Sequence, residues 1–232
     1  MAVLRSLLFY LLFYGGSVFY VSASVGMSAF GRRAMQPFPD AWSRWHRWLV
    51  VNVLGIRVVV EGTPSSDPVL YAIKHEAFFE AIDLPTLFDR PVPLAKAELY
   101  RIPGWGRAAR AYGSVEIARD GGAKMLRKMV ADAKTLLAEE RPLVIFPEGT
   151  RVPHGAPAPL QSGFAGLYKL LGVPVVPVAV DSGPLYHRRW KRRGTITIRF
   201  HDRIEPGLPR AEIEARVLEA INSLNGDQSP SA

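Results

Sequence analysis

Pro142-Leu143-Val144-Ile145-Phe146-Pro147-Glu148-Gly149-Thr150-Arg151 is the stretch from which the fold class is read. Pro142 to Ile145 is an apolar, β-branched run of the kind that forms a buried strand. Pro147 ends it, because proline has no N–H to give to a sheet ladder. Gly149 lets a bulky group approach the backbone. Glu148 and Arg151 then lie on the turn at the strand's C-terminal end, where open α/β sheets place their ligands. Arg151 offers a planar fork of donors suited to a phosphate. Taken alone, the same residues also describe a surface turn with a solvated ion pair, so the remainder of the chain has to decide.

Outward from this stretch, strands and helices alternate. Arg57–Glu61 and Pro68–Ile73 read as strands, the second running straight into Lys74-His75-Glu76-Ala77-Phe78-Phe79-Glu80. Ala81–Phe88 continues a helix, and Val92–Ala95 and Ser114–Ile117 read as short strands. Gly122–Glu140 reads as a helix with Met125, Met129, Ala133 and Leu136-Leu137 on one stripe. A helix near Gly163–Leu171, a buried strand over Pro174–Val180, an alternating edge strand over Ile196–Phe200 and a final helix over Ala211–Leu224 follow. This order predicts an α/β fold: a mostly parallel central sheet flanked by helices on both faces.

The chain has 232 residues and is 48% hydrophobic, enough for one sizeable domain and a short appendage. The appendage is N-terminal. Residues 6–30 carry no charge, a length that crosses a hydrocarbon core of roughly 30 Å. Arg5 precedes the run and Arg32 and Arg33 follow it, so positive charge gives no orientation. A signal peptide cleaved after Ser22-Ala23-Ser24 is the rival reading. After Pro37-Phe38-Pro39, Asp40 is a candidate N-cap, and Trp42, Trp45, Trp48 and Leu49 recur at helical spacing with Arg44 and Arg47 between them. Such a helix reads as interfacial, with packing of the tryptophans on the domain as the alternative. The expected organisation is an anchor and interfacial helix over 1–56, an α/β domain over 57–225 and a polar tail over 226–232.

The net charge of +8 suits nucleic acid, anionic lipid or an acidic carrier as partner. The densest basic run, His187-Arg188-Arg189-Trp190-Lys191-Arg192-Arg193, sits in a chain with a membrane segment and no nucleic-acid module, which favours anionic headgroups or an acidic acyl carrier protein over nucleic acid. There is no cysteine, which excludes disulfides, thiolate nucleophiles and Cys-ligated zinc. No serine lies in a Gly-x-Ser-x-Gly elbow, so a serine hydrolase is not expected.

His75 follows a strand end directly, which puts its imidazole at the sheet's C-terminal edge. A carboxylate that held one ring nitrogen would leave the other free as a base. Glu80 can be that carboxylate only if His75 sits in the turn before the helix and Glu80 in the helix's first turns, since five residues of regular helix turn them apart. Asp83 is the other candidate, one turn deeper.

His75-x4-Glu80, Lys96-x-Glu98-Leu99 with Pro103, Gly106 and Arg119 downstream, Phe146–Arg151 and Val173-Pro174-Val175-Val176-Pro177-Val178 together resemble the four ordered blocks of the glycerolipid acyltransferases. Two positions depart from that family's usual pattern: Lys74 stands where it has Asn, and Glu80 where it has Asp. The resemblance implies an acyltransferase in which His75 is the general base on the acceptor hydroxyl, oriented by Glu80. It implies that Lys96, Arg119 and Arg151 bind the acceptor's phosphate, with Glu148, Gly149 and Thr150 completing the acceptor site and Glu148 contacting its hydroxyls. It implies acylation of 1-acyl-sn-glycerol-3-phosphate to phosphatidic acid, with acyl-CoA or acyl carrier protein as co-substrate and neither metal nor resident cofactor. Acylation of another lysolipid, such as lyso-ornithine lipid, is the neighbouring alternative; a non-catalytic membrane lipid-binding protein is the alternative of another class. The expected location is the cytoplasmic face of the inner or plasma membrane.

Overall fold

The structure, a computed structural model, describes residues 1–65, 67–117, 122–156 and 158–226. Three helices come first: α1 (Ala2–Met27), α2 (Arg32–Met35) and α3 (Pro37–Leu49). The alternating part follows as β1 (Ile56–Glu61), β2 (Leu70–Ile73), α4 (Phe79–Leu87), β3 (Val92–Lys96), α5 (Trp105–Tyr112), β4 (Val115–Ile117), α6 (Gly122–Ala138), β5 (Leu143–Ile145), α7 (Gly163–Leu171), β6 (Val175–Val180), α8 (Gly183–Tyr186), β7 (Gly194–Phe200) and α9 (Arg210–Ile221). The strands form one sheet in the order β1-β7-β6-β2-β5-β3-β4. Every neighbouring pair is parallel except β6 and β7. The expected α/β sheet is therefore present, with its two faces covered by different helices.

Strand alternation sorts the core into two layers. Leu70, Ala72, Leu143 and Ile145 pack with Ala133, Leu137, Phe164, Leu167, Ile213 and Val217 of α6, α7 and α9. Tyr71, Ile73, Val144, Val176 and Val178 pack on the other side with Phe9 and Phe13 of α1, Leu49 of α3 and Phe79 and Leu84 of α4.

Two expectations change. Ile196–Phe200 is not an edge strand: β7 lies between β6 and β1, and β1 forms that edge. Alternation of buried and exposed residues reports how a strand's faces are covered; it does not report whether the strand has neighbours on both sides. Asp40 is not the cap of α3, which starts with Pro37 at its first turn. Asp40 instead accepts a hydrogen bond from the Tyr112 hydroxyl, 3.1 Å away.

Residues 2–30 are long and apolar enough to cross a membrane by length and composition, with a mean hydropathy of 1.6. One face of α1 nevertheless packs on the domain. Trp42 Nε1 donates to Ser17 Oγ at 2.8 Å, the Lys191 N–H to Ser6 Oγ at 2.9 Å and the Tyr10 hydroxyl to the Arg189 carbonyl at 2.7 Å. The other face leaves Leu4, Leu7, Leu8, Leu11, Val18 and Phe19 exposed. In α3 the two tendencies divide in the same way: Arg47 grips Asp83 with both arms of its fork, while Trp48 stacks on Trp45 and is half exposed.

Candidate active site

His75 leaves the end of β2 and lies in the turn that precedes α4, so Glu80 sits in the first turn of that helix. This is the arrangement under which the pair can meet. His75 Nδ1 is 3.1 Å from Glu80 Oε1, the His75 side chain is 15% exposed and that of Glu80 1%. The Glu76 and Ala77 N–H groups also donate to Glu80 Oε1, and Ser182 Oγ donates to Oε2 at 2.7 Å. Glu80 thus sits in the first turn of the helix, where a carboxylate is favoured, closes the His75 turn that precedes it, and is fixed by groups from two segments of chain. A carboxylate saturated with donors accepts from Nδ1–H, which leaves Nε2 with its lone pair as the basic atom. Stacking of the imidazole on Phe146, centroids 4.2 Å apart at 24°, holds the ring plane. Asp83, the alternative partner, is taken by Arg47 and does not reach His75.

Beside this pair lies a buried ion pair that the sequence reading missed. Lys74 Nζ is 2.6 Å from Glu148 Oε1 and 2.8 Å from Asn222 Oδ1, and both charged side chains are 0% exposed. The other oxygen of Glu148 accepts the His75 N–H at 3.3 Å. Glu148 therefore does not face an acceptor hydroxyl; it is buried and committed to Lys74 and to the His75 backbone. The available signal was strand alternation. Lys74 falls on the same face as Leu70 and Ala72, the face that α9 covers, so its ammonium has to find a buried partner.

Gly149 takes φ +65° in the turn after β5 and its N–H donates to the Phe146 carbonyl at 2.9 Å. That backbone conformation favours glycine, and it brings Thr150 and Arg151 to the surface. The Arg151 guanidinium lies 4.2 Å from the Phe78 ring centroid and makes no ion pair among the described residues. The Val152 N–H donates to the His75 carbonyl at 2.7 Å, tying the turn to the histidine. Lys96 ends β3, at the same C-terminal edge of the sheet and separated from β2 only by β5. Its side chain is half-buried and has no partner among the described residues. Arg119 lies outside the described residues.

A second histidine–carboxylate contact flanks the first. His154 Nδ1 is 2.9 Å from Glu76 Oε1, and Glu76 Oε2 accepts the Gly183 N–H at 2.8 Å. Burial pushes Glu76 from its ordinary 4.5 up to about 7, against the opposing effects of the Gly183 N–H and His154. A carboxyl group with a raised folded-state pKa contributes stability that is complete below about 4.5 and is lost as pH rises through about 7. Glu76→Gln is therefore expected to remove that part of the slope. Melting temperatures of wild type and variant, measured across this window, are expected to diverge with rising pH in favour of the variant. Parallel profiles would show that Glu76 titrates at its ordinary value.

The acyltransferase family model matches residues 55–181. The chain is similar to a 1-acyl-sn-glycerol-3-phosphate acyltransferase of Pseudomonas aeruginosa, at 29% identity over 205 residues, covering 84% of this chain and 78% of that protein. It is also similar to the 1-acyl-sn-glycerol-3-phosphate acyltransferases alpha of Mus musculus and Bos taurus, both 31% identical, over 66% and 67% of this chain. The chain spans about half the length of these two mammalian relatives, 55% in each case. Among solved structures, the fold is similar to that of the 1-acyl-sn-glycerophosphate (LPA) acyltransferase PlsC of Thermotoga maritima, with a TM-score of 0.76 at 21% identity over 97% of this chain and 96% of the other.

Proposed function

The chain belongs to the acyltransferase family, and from that premise we propose that it moves an acyl group from a thioester donor to the sn-2 hydroxyl of 1-acyl-sn-glycerol-3-phosphate. The observation that carries this is the His75–Glu80 pair at the C-terminal edge of β2, with Lys96 and Arg151 on the same edge as cations that have no ion pair among the described residues. His75 Nε2 removes the proton of the attacking hydroxyl as its oxygen bonds to the thioester carbonyl carbon. The tetrahedral oxyanion then collapses, the C–S bond breaks, and the leaving thiolate takes the proton from the imidazolium. Glu80 stabilises that imidazolium and keeps Nε2 aimed at the acceptor. No covalent acyl-enzyme is involved, in keeping with a chain that has no cysteine and no serine elbow. The length and the exposed apolar face of α1 support a membrane-bound enzyme whose site opens at headgroup level. We place it on the cytoplasmic face, the side on which soluble acyl thioesters are available. The test is acyl transfer by the purified chain with acyl-CoA and with acyl carrier protein as donors, on lysophosphatidic acid and lyso-ornithine lipid side by side. Ester formation on lyso-ornithine lipid alone would overturn the acceptor assignment.

The acceptor assignment carries a sharper consequence at Arg151. A phosphate monoester brings close to two negative charges at neutral pH, and an arginine fork meets it with two parallel hydrogen bonds. Arg151→Ala is expected to lower kcat/KM for lysophosphatidic acid roughly 10- to 100-fold through the acceptor's KM, with the donor's KM little changed. Arg151→Lys is expected to recover only part of this, since an ammonium is a point charge. On lyso-ornithine lipid, which has no phosphate, both variants are expected to behave nearly as wild type. Equal losses on both acceptors would move Arg151 from phosphate binding to support of the turn.

A further inference from the structure

At the end of the sheet opposite His75 the chain builds a second polar cavity. Its volume is about 430 Å³, and Arg32, Arg33, Gln36, Arg90, Glu139 and Arg141 line it. Arg90 stands two residues before β3 and Arg141 two residues before β5, whereas Lys96 and Glu148 come at or after the far ends of the same strands. A five-residue strand spans roughly 17 Å, so this cavity is separate from the acyl-transfer site. Arg32 and Arg33 begin α2, directly after the apolar N-terminal segment, whose last ring, Phe30, is 77% exposed.

The charges around this cavity do not balance. Glu139 pairs with Arg32 at 2.8 Å, and Asp89, on the open surface, with Arg90 at 3.1 Å. Arg33 has neither an ion pair nor a side-chain hydrogen bond among the described residues. Arg141 is 2% exposed. Its Nε donates to the Arg90 carbonyl and its Nη2 to the Pro91 and Tyr112 carbonyls, but Nη1 has no partner among the described residues. Burial and the nearby Arg32 both work against the Arg141 charge. A concave site with excess guanidinium draws in an anion, and the planar fork matches the oxygens of a phosphate. The site also lies where an apolar segment meets its first basic residues, which is the depth of a lipid headgroup.

We propose that this cavity binds the phosphate of an anionic lipid headgroup, as a second lipid site remote from the acyl-transfer centre. The same chemistry would accept free inorganic phosphate, so the experiment separates the two. Full-length protein is partitioned onto phosphatidylcholine vesicles with and without phosphatidic acid. The pair Arg32→Gln/Arg33→Gln is expected to weaken the phosphatidic acid-dependent partition about thirtyfold, from about 1 kcal/mol for each cation. Arg90→Asn alone, which removes a cavity cation that does not flank α1, is expected to cost about fivefold. Arg210→Gln/Arg216→Gln on α9 removes the same total charge elsewhere and is expected to leave partition within about twofold of wild type, consistent with local rather than net charge. Inorganic phosphate, set against chloride at equal ionic strength, is expected not to displace the wild type. Equal losses in the two arginine pairs, or a silent Arg90→Asn, would reduce the effect to diffuse charge and overturn the site. Displacement by inorganic phosphate would overturn the lipid assignment. Acyl transfer measured in detergent on the same variants keeps this result distinct from the proposed activity, because the vesicle arms need no turnover.

Discussion

His75→Ala is expected to lower acyl transfer by about 10²- to 10⁴-fold, the usual contribution of a general base, with the fold and the membrane association retained. The side chain is held by contacts that can be lost without exposing the core: one bond to Glu80 and a stack on Phe146. Removing the imidazole leaves Glu80 still satisfied by the Glu76 and Ala77 N–H groups and by Ser182. The loss should therefore appear in kcat, not in the melting temperature. Glu80→Gln is expected to be the more complicated change. It keeps the shape but puts an amide against two backbone donors and a hydroxyl, so it should lower both turnover and stability. Single-turnover rates and thermal melts on the two variants separate these effects. Near-wild-type turnover in His75→Ala would sink the mechanism, since no other imidazole among the described residues is paired with Glu80.

Much of this site can be read from the sequence, because it depends on where strands end. Strands β2 and β5 are uninterrupted apolar runs, and their neighbours in the chain are turns with Lys74-His75 and Pro147-Glu148-Gly149. Once the strands are parallel neighbours, as β2 and β5 are, the residues that follow them must share one edge. Glu80 was legible for the same reason, since only a helix starting near Phe79 lets it meet His75. What could not be read was the pairing of buried charge. Glu148 follows a strand end in a Pro-Gly turn and looks like a solvated acid. It is buried with Lys74, which projects toward α9 and gives a second hydrogen bond to Asn222 just after that helix. Asp83 likewise looks available until α3 brings Arg47 to it. Such pairings join residues far apart in sequence, and local periodicity carries no information about them. The start of α3 is a different case. Pro37 was a usable signal, since proline suits the first turn of a helix, but the polar Asp40 drew the cap assignment.

Lys74→Met tests that buried pairing and carries the largest expected effect on stability. The ammonium and the Glu148 carboxylate are both 0% exposed, so neither is solvated by water and each depends on the other. Removing one member of such a pair strands the other charge in the core and typically costs about 3–5 kcal/mol. For a chain of this size that corresponds to a fall in melting temperature of roughly 6–20 °C. Replacing both charges, as in Lys74→Met/Glu148→Leu, is expected to recover most of the loss, because no isolated charge then remains buried. The double-mutant cycle isolates the coupling, as the two side chains are in direct contact. Activity is expected to follow another course. The Glu148 Oε2 contact to the His75 N–H disappears in the double variant, so turnover should stay low even where the melting temperature returns. Lys74→Asn, the residue usual at this position in the family, is expected to fall between the two: its amide can still donate a hydrogen bond, but it is shorter and cannot neutralise Glu148. A Lys74→Met protein that melts with wild type would mean that Glu148 finds water or another cation, and the link from α9 through Lys74 to the His75 backbone would then have no energetic weight.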